Sequence, residues 1–256
     1  MQQKIKGTKN EGKAEEGLVI ERRFTSAGED PFEKFDWIEM DAEIRNPDGS
    51  MADSITGVKL PSGYSGVPGK VLAQKYLRKA GVPAHLRKVA EEGVPVWLQR
   101  SEPDHEKLES LKSEERFTGE RDGREVFRRL AGTWTYWGWK HGYFASEADA
   151  RAYFDEMCYL VASQRSAPNS PQWFNTGLFW AYGIEGPAQG HTYIDPLTGE
   201  LEHSVNAYEH PQPHACFIQS VGDSLVGGKD SIMGLWNREA LLFKYGSGTG
   251  SNFSKI

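Results

Sequence analysis

The stretch that most restricts what this chain can build is its end, from His214 to Ile256. A β-prone run, Ala215-Cys216-Phe217-Ile218-Gln219, enters from the proline-bracketed segment His210-Pro-Gln-Pro-His214, so Cys216 is expected at the start of a strand. A turn at Gly222-Asp223-Ser224-Leu225 then leads through Gly227-Gly228 to Asp230. That aspartate is a good N-cap for a helix carrying Ile232, Leu235, Trp236, Glu239, Leu242 and Phe243 at helical spacing. Gly246, Gly248 and Gly250 come after this helix. A dinucleotide-binding fingerprint must follow a strand and open a helix, so the order excludes it. Gly246 is expected as the helix C-cap, and the small residues behind it as a nest whose backbone N–H groups approach an anion.

Each chemistry-bearing residue here has two readings. Cys216 could face a cleft at the mouth of a sheet or be one more buried cysteine. Asp223 and Ser224 could meet ribose hydroxyls at a strand's carboxyl end or satisfy turn backbone. His210 and His214 invite a zinc reading, but Pro211 and Pro213 keep the imidazoles off one helical face and no second cysteine pair lies nearby; no metal is expected.

Upstream, residues 1–16 are almost devoid of apolar side chains and are expected as a disordered tail. From Gly17 to Val67, clustered aromatics and turn signals at Asn46-Pro-Asp-Gly49 and Pro61-Ser-Gly63 read as short strands and loops. Helical spacing predicts a short helix over Val71–Ala80, stopped by Gly81 and Pro83. The charged stretch from Gln99 to Gly123 reads as a solvated helix or linker. Val126, Phe127, Leu130, Trp134 and Trp137 then form a helical stripe of the kind that packs a core. Ser146 and Asp149 resemble a capping box before a helix whose Phe154, Met157, Cys158 and Val161 share a face, which makes Cys158 a structural thiol. Pro168 is expected to end that helix, Asn169–Gly177 to be an extended segment entering a loop, and Tyr193–Leu201 to form a hairpin.

A chain of 256 residues with 38% apolar content can bury a core of one or two domains. Its net charge of −6 argues against nucleic acid as the main partner. Two cysteines are too few for a disulfide scaffold, the lysine-rich start is not followed by an apolar signal core, and no window approaches a membrane span. The expectation is a soluble, cytoplasmic protein.

Taken together, Asn169-Ser-Pro-Gln-Trp-Phe-Asn-Thr-Gly177, Pro213-His-Ala-Cys-Phe217, Gly222-Asp-Ser224 and Lys244-Tyr-Gly-Ser-Gly-Thr-Gly-Ser-Asn-Phe-Ser254 resemble the amino-terminal half of the ribonucleotide reductase large subunit. Ile20-Glu-Arg-Arg-Phe24, Ala73-Gln-Lys-Tyr76 and Arg78-Lys-Ala-Gly-Val-Pro83 point to the class II, adenosylcobalamin-dependent form. The resemblance implies an α/β fold, α+β overall: a mainly helical region over 17–165, then, over 166–256, the first strands and helices of a ten-stranded α/β barrel that is incomplete in this chain. It implies ribonucleoside-diphosphate reduction by radical chemistry, with Cys216 as one of two redox-active thiols. Ser170, Ala215, Cys216, Ser247 and Gly248 would line the substrate pocket. Asp223, Ser224 and Lys244 would bind a deoxynucleoside triphosphate effector, and the 230–245 helix would form a homodimer. Ala215 departs from the serine that related enzymes often carry.

The resemblance also implies adenosylcobalamin bound mostly outside this chain, a thioredoxin-like reductant, and a companion carboxyl-terminal chain or missing remainder holding the radical cysteine. The chain alone is therefore expected to be inactive. Two alternatives are a non-catalytic nucleotide-binding and dimerisation module, and an unrelated α/β oxidoreductase with a single reactive cysteine.

Overall fold

A computed structural model describes residues 17–256 except 46, 189, 196, 197, 245 and 246. The expected tail over 1–16, Gly246 as a helix cap, and parts of two turns at Asn46 and Pro196-Leu197 lie outside the described residues.

Between Gly17 and Val67 the chain forms one long antiparallel hairpin rather than several short strands: β1 (Trp37–Arg45) pairs with β2 (Met51–Pro61), Trp37 opposite Pro61. Ala42, Val58 and Leu60 turn into the core. α1 (Val67–Val71) follows and continues into one π-helical turn, Leu72–Tyr76. This helix starts four residues before the predicted Val71 because Pro68 is tolerated in a first turn, where its missing N–H has no helical partner to lose. It stops at Tyr76, with Leu77 already extended, and not at Ala80.

β3 (Val82–Pro83), β4 (Leu86–Lys88), β5 (Ser101–Pro103), α2 (His105–Glu109) and β6 (Phe117–Thr118) are short pieces, with β3 paired to β6 and β4 to β5. The charged stretch from Gln99 to Gly123 therefore holds a five-residue helix, capped by Asp104, not one solvated rod. Its Glu120 is fully buried.

The core is carried by α3 (Gly123–Lys140) and α4 (Glu147–Ala162), both as the spacing predicts. Asp122 and Glu125 close a capping box on α3, and the Ser146 hydroxyl accepts from the Asp149 N–H to open α4. Val126, Phe127, Leu130 and Ala131 of α3 pack with Cys158, Val161 and Ala162 of α4 against the hairpin. Burying each of the larger side chains is worth about 1.5–3 kcal/mol, which accounts for the stripe as packing. α4 ends at Ala162 and Gln164 adopts φ 58°, so Pro168 lies beyond the stop instead of making it.

Asn169–Gly177 is helical, not extended. The Asn169 side chain accepts from the Gln172 N–H, Pro171 sits in the first turn, and α5 (Ser170–Asn175) results. Gly177 follows at φ 85°, where a Cβ would stand 2.5 Å from Arg129 Cγ, and opens α6 (Leu178–Tyr182). β7 (Thr192–Ile194) and β8 (Leu201–His203) form the expected hairpin.

The closing stretch is a βαβ unit: β9 (Cys216–Ser220), α7 (Ile232–Lys244) and β10 (Gly248–Asn252), with β10 parallel to β9 and Gly248 opposite Cys216. Gly248 and Gly250 thus lie in a strand. Helices and strands are mixed throughout, an α+β chain, and no described helix is long and apolar enough to cross a membrane.

Candidate functional site

β9 presents Cys216, Ile218 and Ser220 as exposed residues on one face, while Phe217 and Gln219 turn the other way. On that second face Arg238 of α7 donates from Nε to Gln219 Oε1 at 2.7 Å and from Nη2 to the Ser220 carbonyl at 3.1 Å. Gln219 in turn donates to Thr249 Oγ1 at 2.8 Å, and Ser251 donates to Glu239 at 2.9 Å. With Leu235, this polar network seats α7 on the sheet and leaves Met233, Trp236, Leu241 and Phe243 exposed.

Four sequence-predicted residues meet at the amino-terminal end of the strand pair. Cys216 opens β9 as an exposed, free thiol opposite Gly248, whose added Cβ would stand 3.2 Å from the Ala215 carbonyl and 3.9 Å from Cys216 Sγ. Glycine there lets the strands close up beside the thiol. Ser247 is buried, its hydroxyl donating to the His214 carbonyl at 2.9 Å. The expected phosphate nest is not formed: the Ser247 N–H donates to the Leu242 carbonyl at 3.0 Å and the Gly248 N–H to Ala215 at 2.5 Å. Both amides are already used within the chain. Cys158, by contrast, is 0% exposed and burial pushes its thiol up, so it is a packing residue.

The loop carrying Asp223 and Ser224 lies at the other end of β9. Four residue steps of strand separate it from Cys216, roughly 13 Å. The loop is closed by the Gly222 N–H to the Asp230 carbonyl at 2.7 Å and the Ile232 N–H to the Ser224 carbonyl at 2.9 Å. Ser224 Oγ donates to the Val226 carbonyl at 2.6 Å, the turn role, whereas the exposed Asp223 carboxylate has no hydrogen bond or ion pair among the described residues. Ser231, not Asp230, caps α7, its hydroxyl accepting from the Gly234 N–H at 3.0 Å, because the Asp230 carbonyl is engaged in closing the loop. Lys244 ends α7, about 18 Å of helix away from Ile232. The chain does not bring it to Asp223 and Ser224.

Ser170 stands at the start of α5, exposed, with Oγ 3.0 Å from the Tyr76 hydroxyl. Beneath it lies a pair that sequence reasoning missed. Arg129, 1% exposed, donates from Nε and Nη2 to Glu120 at 2.8 and 3.1 Å. Its remaining N–H groups donate to the Trp173 carbonyl, twice at 3.1 Å, and to the Thr176 carbonyl at 2.6 Å. All five guanidinium donors are thereby satisfied. Glu120, 0% exposed, also accepts from the Arg78 N–H at 2.7 Å and the Tyr182 hydroxyl at 2.8 Å. Burial alone would raise this carboxyl; the Arg129 charge and the surrounding donors outweigh it and hold the group below the usual carboxylate range. The signal was present: Arg129 falls three residues after Val126 on the apolar stripe, and a charge there requires a buried partner.

The described residues contain no group of three or more His, Cys, Asp and Glu side chains able to hold a metal ion. An aromatic-walled cavity of about 700 Å³, lined by Trp134, Trp137, Trp180 and Tyr193 among others, includes neither Cys216 nor Ser170.

Comparison with known proteins identifies the family. Residues 39–164 match the family model for class II vitamin B12-dependent ribonucleotide reductase. A vitamin B12-dependent ribonucleotide reductase of Bradyrhizobium diazoefficiens is 60% identical over 239 residues, covering 93% of this chain and 19% of that one. One from Agrobacterium fabrum is 59% identical with the same coverage, and one from Rhodopirellula baltica is 31% identical over 241 residues, covering 94% of this chain and 20% of that one. The chain thus spans about a fifth of the length of the relatives it matches. With both the matched region and the identity in view, the chain belongs to the class II vitamin B12-dependent ribonucleotide reductases, as an amino-terminal region of that family.

Proposed function

We propose that this chain serves the reduction of ribonucleoside diphosphates to deoxyribonucleotides, with Cys216 as one of the two thiols that supply the electrons. Two thiols and a ribonucleotide give a disulfide, a deoxyribonucleotide and water, the 2′-hydroxyl leaving as the water. The observation that carries this reading is the exposed thiol at the amino-terminal edge of the β9–β10 pair, open toward solvent beside Gly248. An exchange-active thiol must be reachable both by substrate and by an outside dithiol, here a thioredoxin-like reductant. The second thiol comes from outside the described residues, since Cys158 is sealed in the core. A companion carboxyl-terminal chain or remainder would supply it, the radical cysteine and the rest of a ten-stranded barrel.

Ser170, Ala215, Ser247 and Gly248 form the substrate wall in this reading, by side-chain hydroxyl and backbone shape. Asp223, with Ser224 beside it, offers a carboxylate for the sugar of a deoxynucleoside triphosphate effector. Lys244 would join that site from a second copy of the chain. The exposed Met233, Trp236, Leu241 and Phe243 of α7 support a helix-to-helix dimer. Adenosylcobalamin, which the family's dependence on vitamin B12 implies, supplies the radical when bound. In this reading it is held mostly outside this chain: among the described residues the strand edge at Cys216 is open and the two neighbouring amides are bonded within the chain, so this edge offers it no cradle.

The test is Cys216→Ser in the assembled reductase, which should abolish dithiol-coupled turnover. Equilibrium titration with deoxynucleoside triphosphates should show weaker binding in Asp223→Ala. Retained turnover in the first variant removes Cys216 from the redox pair, and unchanged affinity in the second removes Asp223 from the effector site.

A further inference from the structure

The substrate wall proposed above names Ser170, and this inference rests on that reading. The Ser170 hydroxyl is paired at 3.0 Å with the hydroxyl of Tyr76. Two hydroxyls that share one hydrogen bond keep one O–H hydrogen between them, so the second is available to a further acceptor. Ser170 is exposed and Tyr76 half-buried, which leaves their shared edge open to solvent. The Tyr76 ring cannot swing freely, because it stacks on Trp173 of α5 with ring centres 5.4 Å apart and planes 20° from parallel. Tyr76 also closes the π-helical turn Leu72–Tyr76, a distortion that recurs at functional sites because it re-aims a side chain.

The buried ion pair explains how the two hydroxyls are held in register although they lie 94 residues apart. Glu120 takes the Arg78 N–H at 2.7 Å, two residues beyond Tyr76, and so fixes one side. Arg129 takes the carbonyls of Trp173 and Thr176, three and six residues beyond Ser170, and so fixes the other. The pair itself is joined by two bonds, at 2.8 and 3.1 Å. One guanidinium–carboxylate unit therefore ties together the two backbones that carry the hydroxyls. Its planar fork is what makes this possible: a lysine has three donors on a single atom and cannot reach Glu120, Trp173 and Thr176 at once.

We propose that Tyr76 contacts the substrate alongside Ser170, the two hydroxyls together facing a phosphate oxygen of the nucleotide, and that Glu120 and Arg129 are the positioning residues that set their separation.

The experiment measures KM and kcat for a ribonucleoside diphosphate, with melting temperature alongside, in the assembled reductase carrying Tyr76→Phe, Ser170→Ala or Arg129→Lys. Tyr76→Phe keeps the ring stack and loses one hydrogen bond to a charged oxygen, so KM should rise about tenfold with kcat within about twofold. Its melting temperature should not move. Arg129→Lys should lower the melting temperature and also raise KM in the folded enzyme. A purely structural Arg129 would lower the melting temperature and leave KM alone, which overturns the positioning role. If Arg129→Lys fails to fold, Glu120→Gln, which keeps the side-chain shape, gives the same two readouts. Raised KM in Ser170→Ala with unchanged KM in Tyr76→Phe overturns the present inference and spares the assignment of Ser170. Unchanged KM in Ser170→Ala withdraws that assignment and the two-hydroxyl contact with it.

Discussion

Replacing Arg129 by methionine would keep most of the side-chain volume and remove the charge, and the structure fixes what is left behind. Glu120, fully buried, would keep its bonds from the Arg78 N–H and the Tyr182 hydroxyl but lose both bonds from the guanidinium, while the Trp173 and Thr176 carbonyls would lose theirs. Removing one partner of a buried ion pair costs about 3–5 kcal/mol. For a chain of this size that corresponds to a fall in melting temperature of roughly 6–20 °C. The sign of the pH dependence is a sharper test than the size. In the native chain the folded Glu120 carboxyl lies below its unfolded value of about 4.3, so its stabilisation is present above that pH and is lost as pH falls through the folded pKa. In Arg129→Met the lowering charge is gone and burial, the raising cause, remains. The folded pKa then lies above the unfolded one, and the penalty grows as pH rises. Urea unfolding followed by circular dichroism at pH 5 and pH 8 should show a larger deficit for the variant at pH 8. A deficit below about 1 kcal/mol, or one equal at the two pH values, would refute a buried, guanidinium-dependent carboxylate.

Two further outcomes follow from burial and hydrogen bonding. A thiol reagent added to the folded chain should label Cys216 and leave Cys158 unmodified until the chain is denatured, as peptide mass spectrometry would show; labelling of Cys158 in the folded state contradicts its complete burial. The Glu156 carboxylate accepts from the N–H groups of Arg23, Phe24 and Thr25 and from the Thr25 hydroxyl, and although burial acts to raise it these bonds hold it below its usual range. The tether is therefore present above the unfolded carboxyl value and lost as pH falls through the folded one. After correction for intrinsic rates, hydrogen exchange at these three amides should lose protection at acid pH before the core of α3 does, and equal protection throughout would contradict it.

The parts of this fold that could be read from sequence are those whose signals are local. α3 and α4 each combine a capping side chain with an apolar stripe of helical period, and the β7–β8 hairpin carries its own turn residues. α5 escaped because six residues are too few to show a period, and Pro171 reads as a breaker unless Asn169 is recognised as a cap that places it in the first turn. β10 escaped for a different reason. Gly248-Thr-Gly-Ser-Asn252 has little intrinsic strand preference, and its conformation comes from pairing with β9, more than 30 residues earlier. At the site, strand pairing brings Cys216 and Gly248 opposite each other, with Ser247 beside them. The amides of Ser247 and Gly248 could not be known to be occupied, since their acceptors are set by strand register. Lys244 was grouped with Asp223 by the family resemblance, and within one chain the length of α7 separates the two.

The saturation of Arg129 has a consequence for how such a chain can drift. A side chain whose five donors all have fixed acceptors leaves no single substitution that is neutral, and the same holds for the carboxylate at position 120, which takes four bonds. Either change made alone passes through an intermediate weakened by about 3–5 kcal/mol, a large share of what a domain has to spare, and replacing both with apolar residues would still leave the Arg78 N–H, the Tyr182 hydroxyl and the Trp173 and Thr176 carbonyls without these partners. The two positions are thus expected to be inherited as one character, 9 residues apart in the chain but indivisible in descent.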